Sequence, residues 1–211
     1  MNSFRQLRQP IPQVLALATL ISFGLSFANY YFGFSLKETP MYLIVTTVCE
    51  IILVILSFIG LLFKPSKYHD KFWLFYFLLS IGLCYTVILS FYNVYFFIAI
   101  QNHYSNLYSY WLFGIIAMLI FFGSNILANI IMIKAKNFKQ QKVRYLFRMI
   151  AVLIYVVYII IYFIVPDEVE NRKNFIGLIF ITLCFQTASD FMFLTYGSYK
   201  YSIDHEEDPD E

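Results

Sequence analysis

The stretch FWLFYFLLSIGLCYTVILSFYNVYFFIA, from Phe72 to Ala99, runs 28 residues without one Asp, Glu, Lys, Arg or His. A helix needs about 20 mainly apolar residues to cross the roughly 30 Å hydrocarbon core of a bilayer. This stretch exceeds that length, and it is far longer than a strand. Five further mainly apolar runs flank it, at about 12–35, 41–63, 111–133, 145–165 and 175–197. The breaks between them are polar, and Pro65 stops the run before Phe72.

Composition agrees. Of 211 residues, 60% are hydrophobic and 21% aromatic, while 13% are charged, about half the roughly 25% of a soluble domain. So much apolar surface cannot be buried inside a water-soluble globule of this length. An ordinary soluble domain and a disordered chain are thereby excluded. The expected fold is all-α: a multi-pass integral membrane protein with six transmembrane helices, forming one domain over 1–201. Residues 202–211 read as an acidic, disordered cytosolic tail. The first run is too long for a signal-peptide core and carries no clear cleavage site, so it reads as a retained helix.

Six spans place both termini on one side. That side then holds twelve basic residues: Arg5, Arg8, Lys64, Lys67, Lys71, Lys134, Lys136, Lys139, Lys142, Arg144, Arg148 and Lys200. The other holds three: Lys37, Arg172 and Lys173. Cytosolic loops carry the Lys/Arg excess, so both termini are expected in the cytosol. Which membrane is occupied, an endomembrane or the plasma membrane, is not encoded in these features.

Six of the eight residues from Leu25 to Phe32 recur 64 positions later, from Leu89 to Phe96. A stripe of small and polar residues recurs with them. Ala18, Ser22, Ser26 and Asn29 correspond to Gly82, Thr86, Ser90 and Asn93. Steps of four, four and three keep each set on one helix face, and small residues let helix backbones approach closely in lipid. The repeat suggests a duplicated helical hairpin, spans 1–2 and 3–4, with spans 5–6 as a diverged third. The stripes are expected to be packing faces.

The even-numbered spans carry the residues most costly in lipid. Glu50 lies near the middle of the second, and an ionisable group at that depth costs about 2.5–3.5 kcal/mol by insertion scales. Asn125 and Asn129 share a face of the fourth. Asp190 lies in the sixth, nearer its cytosolic end. If these faces converge, they line a polar cavity; if they do not, each is satisfied in its own helix contact. The segment from Lys134 to Arg148 has six basic residues and no acid. Lys134, Lys136, Lys139, Lys142, Arg144 and Arg148 are therefore candidates for contact with anionic lipid headgroups.

Catalytic chemistry finds no footing. His69 and His103 fall in loops and His205 in the tail, so paired axial ligands for a buried haem are missing. There is no His-Glu-x-x-His helix, no Gly-x-Ser-x-Gly elbow and no Gly-rich phosphate loop. Cys49, Cys84 and Cys184 all sit in apolar runs, which argues against a disulfide framework. No metal or cofactor is expected, and nucleic-acid binding has no support. The expected partners are the bilayer and other membrane proteins. The expected role is that of a non-enzymatic packing, accessory or trafficking component. The alternative is a small transporter or channel using Glu50 and Asp190, although no span carries the interior Pro break that marks transporter sites.

Overall fold

The computed structural model describes residues 3–27, 36–60, 62–63, 66, 68–102, 106–134, 138–166 and 170–205. These residues are all-helical, with no strand among them. A short helix α1 (Ser3–Leu7) is followed by α2 (Ile11–Phe27), α3 (Met41–Gly60), α4 (Asp70–Gln101), α5 (Tyr108–Lys134), α6 (Phe138–Ile164) and α7 (Asn174–Asp204). Single 3-10 turns at Leu36–Glu38 and Glu170–Lys173 precede α3 and α7. Six helical segments, the first running from Phe4 to Phe27 through α1 and α2, are long and apolar enough to cross a membrane.

Local sequence sets the helix limits. Pro12 occupies the first turn of α2, where a missing N–H costs nothing. The Pro40 carbonyl accepts from Leu43 and Ile44 and so starts α3. Asp70 opens α4 and Lys134 closes α5, each at the helix end whose dipole favours its charge. Asn106, which leads into α5, adopts φ 72°, a left-handed conformation that Asn tolerates. Four helices, α4 to α7, outrun the apolar runs that announce them. α6 begins at Phe138 rather than near 145, and α4 and α7 extend to Gln101 and Asp204. A helix that satisfies its own backbone does not need to stop where lipid does. Residues 202–204, which the sequence assigns to the tail, are thus the last residues of α7. Residues 206–211 lie outside the described set.

α4 is the hub. It is buried over most of its circumference, packing on α2, α3 and α7. α2 and α4 run parallel: Tyr76, early in α4, bonds the Gln9 carbonyl and Gln13 at the start of α2. At the far end, Gln101 donates to the Ser26 carbonyl. Between these ties, Leu15 and Ala16 of α2 pack with Leu79, Leu83 and Val87 of α4 and Val54 of α3. A larger core runs through Tyr92, Phe96, Met118, Phe121, Tyr158 and Phe175. α1 tucks under one end, where Phe4 meets Trp73 and Tyr199 with ring centroids 5.1 and 6.2 Å away. The N-terminal helix and the end of α7 therefore share one end of the bundle, called here the terminal end.

The hairpin scheme is only partly realised. Successive long helices are antiparallel, but the most extensive packing joins α2 to α4 and α5 to α6. α4 and α5 meet mainly through long side chains, such as Tyr85 against Phe122 at 4.3 Å between ring centroids. The sequence pairs spans by order along the chain; the fold pairs them by complementary faces.

Candidate functional site

Two polar networks lie at different depths along α4. The first gathers Arg148 of α6, Asp190 of α7, and Asn125 and Asn129 of α5. The Arg148 guanidinium donates from Nη1 to Asn125 Oδ1 at 2.7 Å and to Asp190 Oδ1 at 3.1 Å. Its Nη1 also lies 2.8 Å from Asp190 Oδ2. Its Nη2 donates to Asn129 Oδ1 at 2.7 Å. Asn129 closes the ring by donating from Nδ2 to Asp190 Oδ1 at 2.7 Å. Both asparagines are fully buried, while the Arg148 and Asp190 side chains keep 21% and 28% exposure.

The fit follows from spacing. Asn125 and Asn129 are four residues apart, one above the other on one face of α5. Their two carbonyls match the two terminal nitrogens of a planar guanidinium. The network continues inward. Asn125 Nδ2 donates to the Tyr85 hydroxyl at 3.1 Å, and that hydroxyl lies 3.3 Å from Ser189 Oγ. Tyr155 donates to Gln186 at 2.7 Å beside it. Four helices, α4 to α7, thus meet in one hydrogen-bonded layer.

The second network surrounds Glu50 of α3, which is 2% exposed. Asn93 of α4 donates from Nδ2 to Glu50 Oε1 at 3.1 Å and to Thr46 Oγ1 at 3.2 Å. Trp111 of α5 donates from Nε1 to Asn93 Oδ1 at 2.9 Å. Tyr42 covers Trp111 at 4.5 Å between ring centroids. No described cation forms an ion pair with Glu50, and the Thr47 hydroxyl one turn away is buried without a hydrogen-bond partner.

Eight residues of α4 separate Tyr85 from Asn93, about 12 Å of helix rise. The intervening level is apolar or closed: Ile88, Tyr92 and Met118 are all buried, and the Tyr92 hydroxyl donates to the carbonyls of Tyr110 and Trp111. Glu50 is therefore not brought together with Asn125, Asn129 and Asp190. A third tie lies nearer the terminal end, where Gln13 donates to the Ser57 carbonyl at 2.7 Å and accepts from Tyr76.

Arg148 needs correcting. As a sequence it belongs to the basic segment facing headgroups; in the fold it turns inward, because Asp190 and two Asn carbonyls offer what bulk lipid cannot. Lys134 and Lys142 are exposed and Arg144 is half-buried. Lys136 and Asn29 lie outside the described residues, as does the Lys139 side chain. Of the two stripes, Ser22, Ser26, Thr86, Ser90 and Asn93 are buried, while Ala18 and Gly82 are half-buried. The hydroxyls of Ser22, Thr86 and Ser90 donate to carbonyls of their own helices. Tyr85, Trp111 and Gln13 went unnoticed in the sequence. Their signal, a polar atom within an apolar run, is shared by too many of the 18 tyrosines to single out one.

No group of three or more His, Cys, Asp or Glu side chains among the described residues could hold a metal ion. Residues 2–208 match the family model described as Domain of unknown function (DUF5079), and the chain belongs to that family. No curated protein and no solved structure matches the chain.

Proposed function

We propose that this chain is a non-enzymatic multi-pass membrane protein with both termini in the cytosol, acting as a packing or accessory component for other membrane proteins. The observation behind this reading is that Glu50 and Asp190 sit in separate networks, each closed by its own partners. A carrier that used both acids would bring them to one hydrated site. Here a packed level of Ile88, Tyr92 and Met118 stands between them, and Asp190 is matched by Arg148. Buried polar networks of this kind favour one helix arrangement over others. With Arg148 set aside, the eleven-to-three distribution of basic residues still supports the orientation.

The test is flux of protons and small cations into proteoliposomes holding the purified chain, beside Glu50→Gln and Asp190→Asn. The expected result is no flux above empty liposomes for any of the three. Wild-type flux that Glu50→Gln abolishes would replace this reading with transport and make Glu50 the carrier.

A further inference from the structure

We infer that the groove between α4, α5 and α7 at the terminal end is a binding site for one anionic phospholipid, its acyl chain in the groove and its phosphate at Lys134. α5 packs tightly on α7, where a Cβ on Gly197 would come 3.2 Å from Ile133. The α4 and α5 backbones do not close in the same way, and the gap is a cavity of about 490 Å³. That lies within the roughly 300–1,000 Å³ of ligand clefts. Its walls are apolar, including Phe77, Ile130, Ile133 and Phe193. Phe77 is held in place by stacking on Tyr196 at 4.4 Å between centroids.

The polar residues are confined to one end. Lys200 lies there, but its amino group is engaged by Asp70 at 2.9 Å and Asp204 at 3.1 Å. One lysine thus serves two carboxylates and offsets one of their two charges. Lys134, the last residue of α5, also lines the cavity. It is exposed, and no described residue forms an ion pair with it. It opens the run of five basic residues to Arg144 that contains no acid. An apolar slot ending in such a cation beside a basic segment complements an acyl chain ending in an anionic headgroup. Basic pockets between helices at a membrane face bind anionic headgroups in this way.

The experiment places the full chain in phosphatidylcholine liposomes doped with a phospholipid carrying a photoactivatable acyl chain. The headgroup is phosphatidylglycerol in one arm and phosphatidylcholine in the other, and adducts are mapped by peptide mass spectrometry. The expected result is several-fold more adduct on the α4, α5 and α7 groove peptides with phosphatidylglycerol. Lys134→Gln, a change at an exposed position, should abolish that preference. Ile130→Trp should remove groove adducts with either lipid while leaving those on the outer face of α3 unchanged. Equal groove labelling by the two headgroups, or groove labelling no denser than on α3, would overturn the proposal. A phosphatidylglycerol preference that survives Lys134→Gln would overturn the placing of the phosphate at Lys134.

Discussion

Replacing Arg148 by Met removes the cation while leaving Asp190 in place. Four contacts go: those to Asn125 and Asn129, and the two to the Asp190 carboxylate. Asp190 keeps only its bond from Asn129. Breaking a buried pair by removing one partner costs about 3–5 kcal/mol, because a charge is left uncompensated. The 21% and 28% exposure of the two side chains and the surviving Asn129 bond favour the lower end, about 3 kcal/mol. Asp190→Leu should cost a similar amount. For a chain of this size that lowers Tm by about 6–12 °C. The double variant, Arg148→Met with Asp190→Leu, leaves no charge behind, and replacing a whole buried pair by apolar groups is often near neutral. Two Asn carbonyls still lose a donor, so the double should cost about 1–2 kcal/mol. The readout is unfolding of the purified chain in micelles, as a double-mutant cycle. The sum of the single effects should exceed the double by about 4–5 kcal/mol. Single effects that add within about 0.5 kcal/mol would refute the network and return Arg148 to the headgroups.

Gly114→Ala should destabilise by about 1–3 kcal/mol, since its Cβ would overlap Tyr92, whose hydroxyl is tied to the Tyr110 and Trp111 carbonyls. Gly123→Ala, where nothing crowds the new methyl, should be neutral or slightly stabilising in the same thermal unfolding comparison. Asn93→Leu should cost about 1–2 kcal/mol, because it cuts the links to Glu50, Thr46 and Trp111 together. Glu50→Gln keeps an oxygen for Asn93 to bond and should unfold within about 0.5 kcal/mol of wild type; a larger loss would show that the carboxyl does more than accept from Asn93.

The six long helices were legible because hydrocarbon imposes one length on every run that crosses it, and the stretch from Phe72 to Ala99 already carries that length. The polar residues were legible as residues but not as a network. Asn125 and Asn129 announce a polar face by their four-residue spacing, yet nothing in the linear text rotates that face toward α6 and α7. Arg148 was misread for a physical reason. Counting charges for orientation treats every basic residue beside a span as interfacial, whereas this one lies within the run that begins near 145. The rule that intramembrane ions find partners would have matched it to Asp190. The repeat of Leu25–Phe32 at Leu89–Phe96 invited a scheme of consecutive hairpins. Instead α2 and α4, which carry the two copies, lie parallel and side by side, and that choice depends on face complementarity that a single sequence does not display.

That parallel seating has a consequence for how the protein is made. α2 leaves the ribosome well before α4, and α3 comes between them. Until α4 arrives, Thr19, Ser22 and Ser26, all buried in the finished bundle, lack the neighbour that covers them. α5 and α6, joined by only three residues, can close on each other as soon as both are inserted. Assembly therefore waits in its first half and proceeds locally in its second, and a nascent chain arrested after α3 is the species most in need of a chaperone or a stand-in helix.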